Sequence, residues 1–271
     1  MDNRPIGIFD SGLGGLTAVS ELKKIMPNEN IIYFGDTGRV PYGTRSKETI
    51  QKYTKQDIRF LLSKDVKYII VACGTISSVI SDEIVAGLPV SYTGVPIPAV
   101  KAAAKATKSG RIGVIGTPAT IRSGAYERAL GNINNQFSVH ANACPLFVPL
   151  VESGFTNPDN EVTILVARQY LAPLIEANID TLILGCTHYP IIKDIIQSVM
   201  GEHVRLIDSG QEAARYAFKF LAKQNMLNDA KVIATSEYYI SDTVEHFATN
   251  ATAILKEPVV GHVEKIDIES Y

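Results

Sequence analysis

The sequence predicts an α/β protein of two pseudo-symmetric lobes, each a mainly parallel sheet flanked by helices, with the ligand site in the cleft between them. Three observations carry this prediction. Short Val/Ile-rich runs alternate with longer stretches whose apolar residues recur three and four apart, the βα pattern of parallel sheets covered on both faces. The chain also echoes itself, because PIGIFDSGLGG and RIGVIGTPAT each open with a small apolar strand and a turn of small residues. Finally, Cys73 in YIIVACGTISS and Cys186 in TLILGCTHYP stand just past strand-like runs, each with a threonine within the next two positions.

The elements follow in order. PIGIFD reads as a strand; DSGLGG (10 to 15) turns it into the helical GLTAVSELKKIM. NIIYFGD is the second strand. The Gly- and Pro-containing GDTGRVPYGTRS (35 to 46) then fits a loop over the sheet's ligand edge, before the helix KETIQKYTKQDIRFLLSK. KYIIVAC is a strand ending at Cys73. A lobe boundary is expected near YTGVPIPAV, where Pro96 and Pro98 interrupt the pattern. IPAVKAAAKATKS reads as helix and RIGVIGT as strand. NEVTILVARQYLAPLIEAN is helical, with Pro173 expected to kink or break it. TLILGC and HVRLID are the last clear strands. After IDSG (207 to 210) come a helix, the strand-like VIATSEYYIS, a further helix and a tail, and periodicity leaves their lobe open. In open parallel sheets ligands sit beyond the carboxyl ends of strands. Both cysteines, Asp10 and Asp36 stand at such ends.

Composition narrows the class. At 271 residues, 46% hydrophobic and 20% charged, the chain has the make-up of a globular protein with a substantial core. The net charge of −2 and the lack of a basic tract give nothing to attract nucleic acid or anionic lipid. The N-terminus has no basic region followed by a long apolar segment, and no run of about 18 apolar residues occurs, so a cytoplasmic protein without membrane association is expected. In a reducing compartment, three cysteines are more readily catalytic or buried than bridged.

Each motif has a plain alternative. DSGLGG could present backbone N–H groups to an anion, and Asp10 and Ser11 add polar groups there, yet a tight turn alone would also use these glycines. It is no dinucleotide fingerprint, since Thr17 stands where the third glycine belongs, and no phosphate-loop pattern occurs. Either cysteine alone could be a small core hydrophobe. That reading weakens when both hold the same station in two halves of a repeat; Cys144 has no such match and reads as core. His188, two residues beyond Cys186, could stabilise a thiolate or pass a proton. A zinc site of Cys73, Cys186 and His188 lacks any C-x-x-C or H-E-x-x-H support, so no metal is expected. His140, His203, His246 and His262 read as surface or capping residues.

Taken together, IGIFDSGLGGLTAV, YFGDTGRVPYG, ACGT, GVIGT, CPLFVPLVESG, LGCTHYP and IDSG closely resemble, in order over positions 6 to 210, the glutamate racemases of the cofactor-independent aspartate/glutamate racemase superfamily. The resemblance implies lobes of 1–96 plus 208–271 and 97–207. It implies interconversion of L- and D-glutamate without a cofactor, for peptidoglycan, and a homodimer. By the same resemblance Cys73 is the base for D-glutamate and the acid for L-glutamate, and Cys186 the reverse. Asp10 assists Cys73, while His188 and Glu152 assist Cys186. Ser11, Tyr42, Gly43, Thr75 and Thr187 match the family's substrate contacts, with Thr117 and Thr120 of GTPAT as additional ones.

One departure stands out. Where the family usually reads Cys-Asn-Thr-Ala, this chain reads Cys73-Gly74-Thr75-Ile76. Gly74 would contact substrate through its backbone alone and leave more room, at a loss of roughly 1.5–3 kcal/mol if an amide bond to a charged group is not replaced. Two rival readings stay open: a racemase for aspartate or a related acid, and a non-catalytic amino-acid-binding protein with core thiols.

Overall fold

The computed structural model describes residues 2–228, 234–255, 259 and 261–271, and among these the chain forms two parallel sheets covered by helices. The strands are β1 (Ile6–Asp10), β2 (Ile31–Gly35), β3 (Tyr68–Val71), β4 (Ser91–Gly94), β5 (Arg111–Gly116), β6 (Ser138–Ala143), β7 (Thr181–Leu184), β8 (Arg205–Asp208), β9 (Ser236–Ile240) and β10 (His262–Lys265). One sheet has the order β10-β9-β2-β1-β3-β4 and the other β6-β5-β7-β8. Every ladder is parallel, with Ile6 opposite Ile31 and Tyr68, and Ile112 opposite Val139 and Thr181.

Side chains alternate across each strand, so each sheet feeds two cores. On one face of the first sheet Ile6, Ile8, Tyr33 and Ile70 pack with Leu16, Val19 and Leu22 of the helix Leu16–Ile25 and with Ala213 and Ala217 of the helix Ser209–Lys223. On the other, Phe9, Phe34 and Val71 meet Ile58, Phe60 and Leu61 of the helix Lys47–Ser63. The second sheet repeats the plan, with Ile115 and Leu182 facing Leu171 of the helix Glu161–Glu176, and Val114 and Ile183 facing Val100 of the helix Pro96–Ala106. Helix starts carry their caps: Ser46 accepts from Thr49 N–H, Asn160 from Thr163 N–H, and Asp208 from Gly210 and Gln211 N–H.

Four local expectations need correction. The helix Glu161–Glu176 runs through Pro173, which lies in its last turn. Only one backbone bond is lost there, and the residues concerned, Gln169 and Pro173, are exposed, so water can take the freed carbonyl. Pro96 and Pro98 do not merely interrupt the pattern; they open the helix Pro96–Ala106, where a missing N–H costs nothing. β4, β6 and β10 carry no long apolar run because each lies at or beside solvent on a sheet edge. Of the strand-like VIATSEYYIS, residues 232 and 233 lie outside the described residues, and the strand itself is Ser236–Ile240, paired with β2 in the first sheet. His246 lies within a helix, but its side chain is outside the description. Among the described residues no helix is long and apolar enough to cross a membrane.

Candidate active site

Two adjacent inner strands of the first sheet, β1 and β3, deliver one half of the site. β1 ends at Asp10, whose fully buried carboxylate accepts Gly12 N–H at 3.1 Å through Oδ2, while Oδ1 has no hydrogen-bond partner among the described residues. Burial pushes this carboxyl above the ordinary range, against the pull of the His188 charge. β3 ends two residues before Cys73, which sits at the N-cap of the short helix Gly74–Val79 and donates its S–H to Ser11 Oγ at 3.4 Å. Burial first, and the Asp10 charge second, push the Cys73 thiol up to about 12. At neutral pH it is therefore a neutral acid.

β7 of the second sheet delivers the other half. Cys186 follows Gly185, and His188 Nδ1 lies 3.8 Å from its sulfur. His188 Nε2 lies 3.0 Å from Glu152 Oε1, on the helix Phe147–Glu152. Burial works against the imidazolium, but the hydrogen bonds to Cys186 and Glu152 outweigh it and hold the His188 pKa at about 10. With both ring nitrogens protonated, Nδ1–H donates to the sulfur and Nε2–H to the carboxylate.

Both sulfurs line one cavity of about 290 Å³ between the carboxyl ends of the two sheets, a size suited to a small ligand. Ser11, Gly43, Gly74, Thr75, Thr117, Thr187, Glu152 and His188 also line it. Two hydrogen bonds fasten the halves: Thr75 Oγ1 lies 2.9 Å from Thr117 Oγ1, and Thr17 Oγ1 donates to Thr187 O at 3.1 Å.

Several expected contacts sit differently. Thr120 is fully buried behind Thr117, 3.0 Å from its hydroxyl, and does not line the cavity. Asp10 likewise lies behind the wall rather than in it. Gly74 does not leave more room, because the carbonyl of Gly185 occupies the space a side chain would need. Tyr42 lines the cavity, but its hydroxyl turns away and donates to the buried Asp36. A Tyr42→Phe change is therefore expected to lower stability by about 1–3 kcal/mol, by removing one hydrogen bond to a buried carboxylate that keeps its Arg39 and Ser241 donors, while leaving KM near its parental value. Denaturant unfolding and steady-state kinetics check the two halves of that statement.

Sequence reasoning passed over what holds the loop bearing Tyr42 and Gly43. Arg39 bonds Asp36 (Nε, 2.6 Å), Gln56 (Nη1, 2.6 Å), Asp57 (Nη2, 3.2 Å) and Glu269 (Nη1, 2.9 Å). Asp36 also accepts Ser241 Oγ–H at 2.7 Å, and burial pushes the Asp57 carboxyl well above its usual range. GDTGR and the acidic tail were the only visible signs of this network, and no spacing links them. The walls Val40, Pro41, Val148 and Pro149 were also missed; they come from the same VPYG and LFVPLVE stretches that supplied Tyr42 and Glu152.

Two thiols from separate sheets, one near a buried carboxylate and the other beside an imidazolium, share a small hydroxyl-lined cavity. Such a site is suited to taking a proton from one face of a carbon and returning one to the other, the chemistry of two-base racemases and epimerases. Comparison with known proteins narrows this class. Residues 17–217 match the Asp/Glu/Hydantoin racemase family, and the chain belongs to that family. It is 45% identical over 267 residues to the glutamate racemase of Geobacter metallireducens, covering 98% of each chain. With that of Streptococcus thermophilus it shares 44% over 271 residues, covering 99% of this chain and 98% of the relative. A crystal structure of glutamate racemase from Francisella tularensis in complex with D-glutamate superposes with a TM-score of 0.92 at 40% identity, covering 100% of both chains.

Proposed function

We propose that the chain interconverts L- and D-glutamate without a cofactor by passing the α-proton between Cys73 and Cys186, supplying D-glutamate for peptidoglycan. The observation that carries this reading is that both sulfurs line one cavity, each just past the carboxyl end of an inner strand of its own sheet. The near-full-length likeness to glutamate racemases supports the choice of glutamate.

For L-glutamate, the Cys186 thiolate takes the α-proton, so that a C–H bond breaks and an S–H bond forms. The Cys73 thiol gives its proton to the opposite face, and the pair ends in the reverse state, ready for D-glutamate. The high pKa of Cys73 favours the state that starts from L-glutamate, in which Cys73 is the acid. Asp10 and the His188–Glu152 pair are assigned to tune the two thiols. The hydroxyls of Ser11, Thr75, Thr117 and Thr187 are assigned to hold the substrate's polar groups as negative charge develops. The lobes 1–96 plus 208–271 and 97–207, a homodimeric state and a cytoplasmic setting belong to the same proposal. The slightly negative net charge supports a protein without a nucleic-acid partner.

The test is incubation with L-glutamate in heavy water, with no added cofactor, following optical rotation and α-deuterium together. Racemisation with exchange is expected. Silence with both enantiomers of glutamate, from folded protein, rejects the reading; a response to aspartate alone moves the substrate.

The pH profile follows from His188. Its pKa is raised from 6.5 to about 10, so in the folded protein the imidazolium persists through neutral pH and is lost only as pH climbs through about 10. We expect kcat/KM to fall on that alkaline limb, identically for both enantiomers because their equilibrium constant is one. The His188→Gln enzyme, slower overall, should keep only the limb due to the substrate's ammonium. Superimposable profiles for parent and variant would reject the role given to His188.

A further inference from the structure

Val40 to Thr44 line the active-site cavity and belong to the loop that leaves β2 at Gly35 and enters the helix Lys47–Ser63. One side of this loop rests on Thr117, just past β5, whose Cβ would lie 2.9 Å from a Cβ built on Gly43. The other side is held through Arg39. Arg39 and Tyr42 share two partners: both donate to Asp36, and the guanidinium lies 4.0 Å from the centroid of the Tyr53 ring, which in turn lies 5.3 Å from that of Tyr42.

The hold on Arg39 has a buried half and an exposed half. Asp36 and Asp57 have fully buried side chains, whereas that of Glu269 is 55% exposed. Glu269 comes from the C-terminal turn Ile268–Ser270, which is anchored independently of the loop. Ile268 lies in the core that includes Phe60, the Tyr271 ring meets Phe60 edge-on at 5.3 Å, and Tyr271 O accepts from Arg59 Nη1 at 2.9 Å. From that anchor Glu269 places Oε1 on Arg39 and accepts Gln56 Nε2–H on Oε2 at 3.2 Å.

We propose that Arg39 is a positioning residue for substrate binding and that the Glu269 side chain clasps it, so that the end of the chain sets how tightly the wall Val40–Thr44 holds glutamate. This rests on the reading of the cavity given above. The two sulfurs follow β3 and β7 and are not carried by this loop. Loosening the wall therefore removes contacts that the substrate makes before and during proton transfer alike, a loss that raises KM and keeps kcat. A role confined to stability would lower Tm and leave the affinity of the folded protein unchanged.

The experiment compares the parent with Arg39→Lys, Glu269→Ala and Lys52→Ala, by calorimetric titration with glutamate, steady-state kinetics and thermal unfolding. Lysine keeps the charge but not the planar fork that serves several partners and a ring face. In Arg39→Lys the dissociation constant and KM are expected to rise about tenfold with kcat within about twofold of the parent, inside the roughly 2- to 30-fold that a networked side chain carries. Glu269→Ala should raise both about threefold, the scale of a half-exposed ion pair. Lys52 lies 3.9 Å from the same carboxylate but is no part of the clasp, and its variant should match the parent. If Arg39→Lys does not fold, Glu269→Ala decides alone. Parental affinity in the folded variants overturns the proposal, whatever happens to Tm, and so does a fall in kcat with affinity kept. Calorimetry reads affinity without turnover, so a parent that binds glutamate but never racemises it rejects the function and leaves the clasp to be judged by the same comparison.

Discussion

Serine in place of Cys186 is expected to lower racemisation by about 10²–10⁴-fold, the span that a positioned acid or base contributes. The hydroxyl keeps the shape but is a far weaker acid than a thiol, so the group 3.8 Å from His188 Nδ1 exchanges a proton with carbon far less readily. Cys73→Ser should cost a similar factor, because the alcohol must act from a buried site near the Asp10 carboxylate. In each single variant the surviving thiol still reaches one face of the α-carbon. α-Deuterium should therefore enter one enantiomer faster than rotation is lost, and the favoured enantiomer should switch between the two variants. Polarimetry and proton NMR in heavy water read both quantities. Binding of glutamate, followed by calorimetry, should largely survive, which separates a racemase from a protein that only holds an amino acid. Full racemisation by both variants would end the two-thiol account.

Lys67→Met is expected to destabilise the fold by about 3–5 kcal/mol, on the order of 10 °C in Tm for a chain of this size. Lys67 is fully buried at the entrance to β3, and its ammonium meets Glu29 at 2.6 Å, Asp2 O at 2.6 Å and Met226 O at 2.8 Å. Glu29 in turn accepts Asn228 N–H at 2.8 Å. One cation thus ties the N-terminus, the turn before β2 and the chain after the helix Ser209–Lys223. Methionine fills the volume but leaves a buried carboxylate without its counter-charge and two carbonyls without a donor. Adding Glu29→Gln should restore part of the loss by removing the uncompensated charge. Thermal unfolding of the two variants measures this; a single variant within about 1 kcal/mol of the parent would show that water or another cation replaces the ammonium. The active-site cavity lies at the opposite, carboxyl end of β3, so kcat below the melting range should hold.

The inner strands were legible because a parallel strand covered on both faces has to be apolar throughout: IGIF, IIYF, YIIV, IGVI and TLIL are unmistakable. Edge strands such as SVHANA escape that demand and left no run to read. Pro173 misled because a proline's cost depends on its distance from the helix end, which spacing alone does not give. At the site, Cys73, Cys186 and His188 were visible because each lies within a few residues of a strand end, where parallel sheets keep their ligands. Thr120 was offered as a contact from its motif, yet its hydroxyl, three residues beyond Thr117 at the end of GTPAT, turns back onto Thr117. The Arg39 network was invisible for a simpler reason: Arg39 and Glu269 stand 230 positions apart. Gly74 shows a different limit. A glycine in a sequence reads as empty space, and only the facing Gly185 shows that the space is filled.

The strand order carries a cost that arises on the ribosome. β5 to β8 lie in one uninterrupted stretch from Arg111 to Asp208, so the second sheet can be complete before the last part of the chain is made. The first sheet cannot. β2 pairs on its outer side with β9, which is not synthesised until that entire second sheet has been. Throughout that interval the nascent chain carries IIYFG with one row of backbone groups uncovered, an apolar edge that another chain could pair with. The sheet begun first is the one finished last.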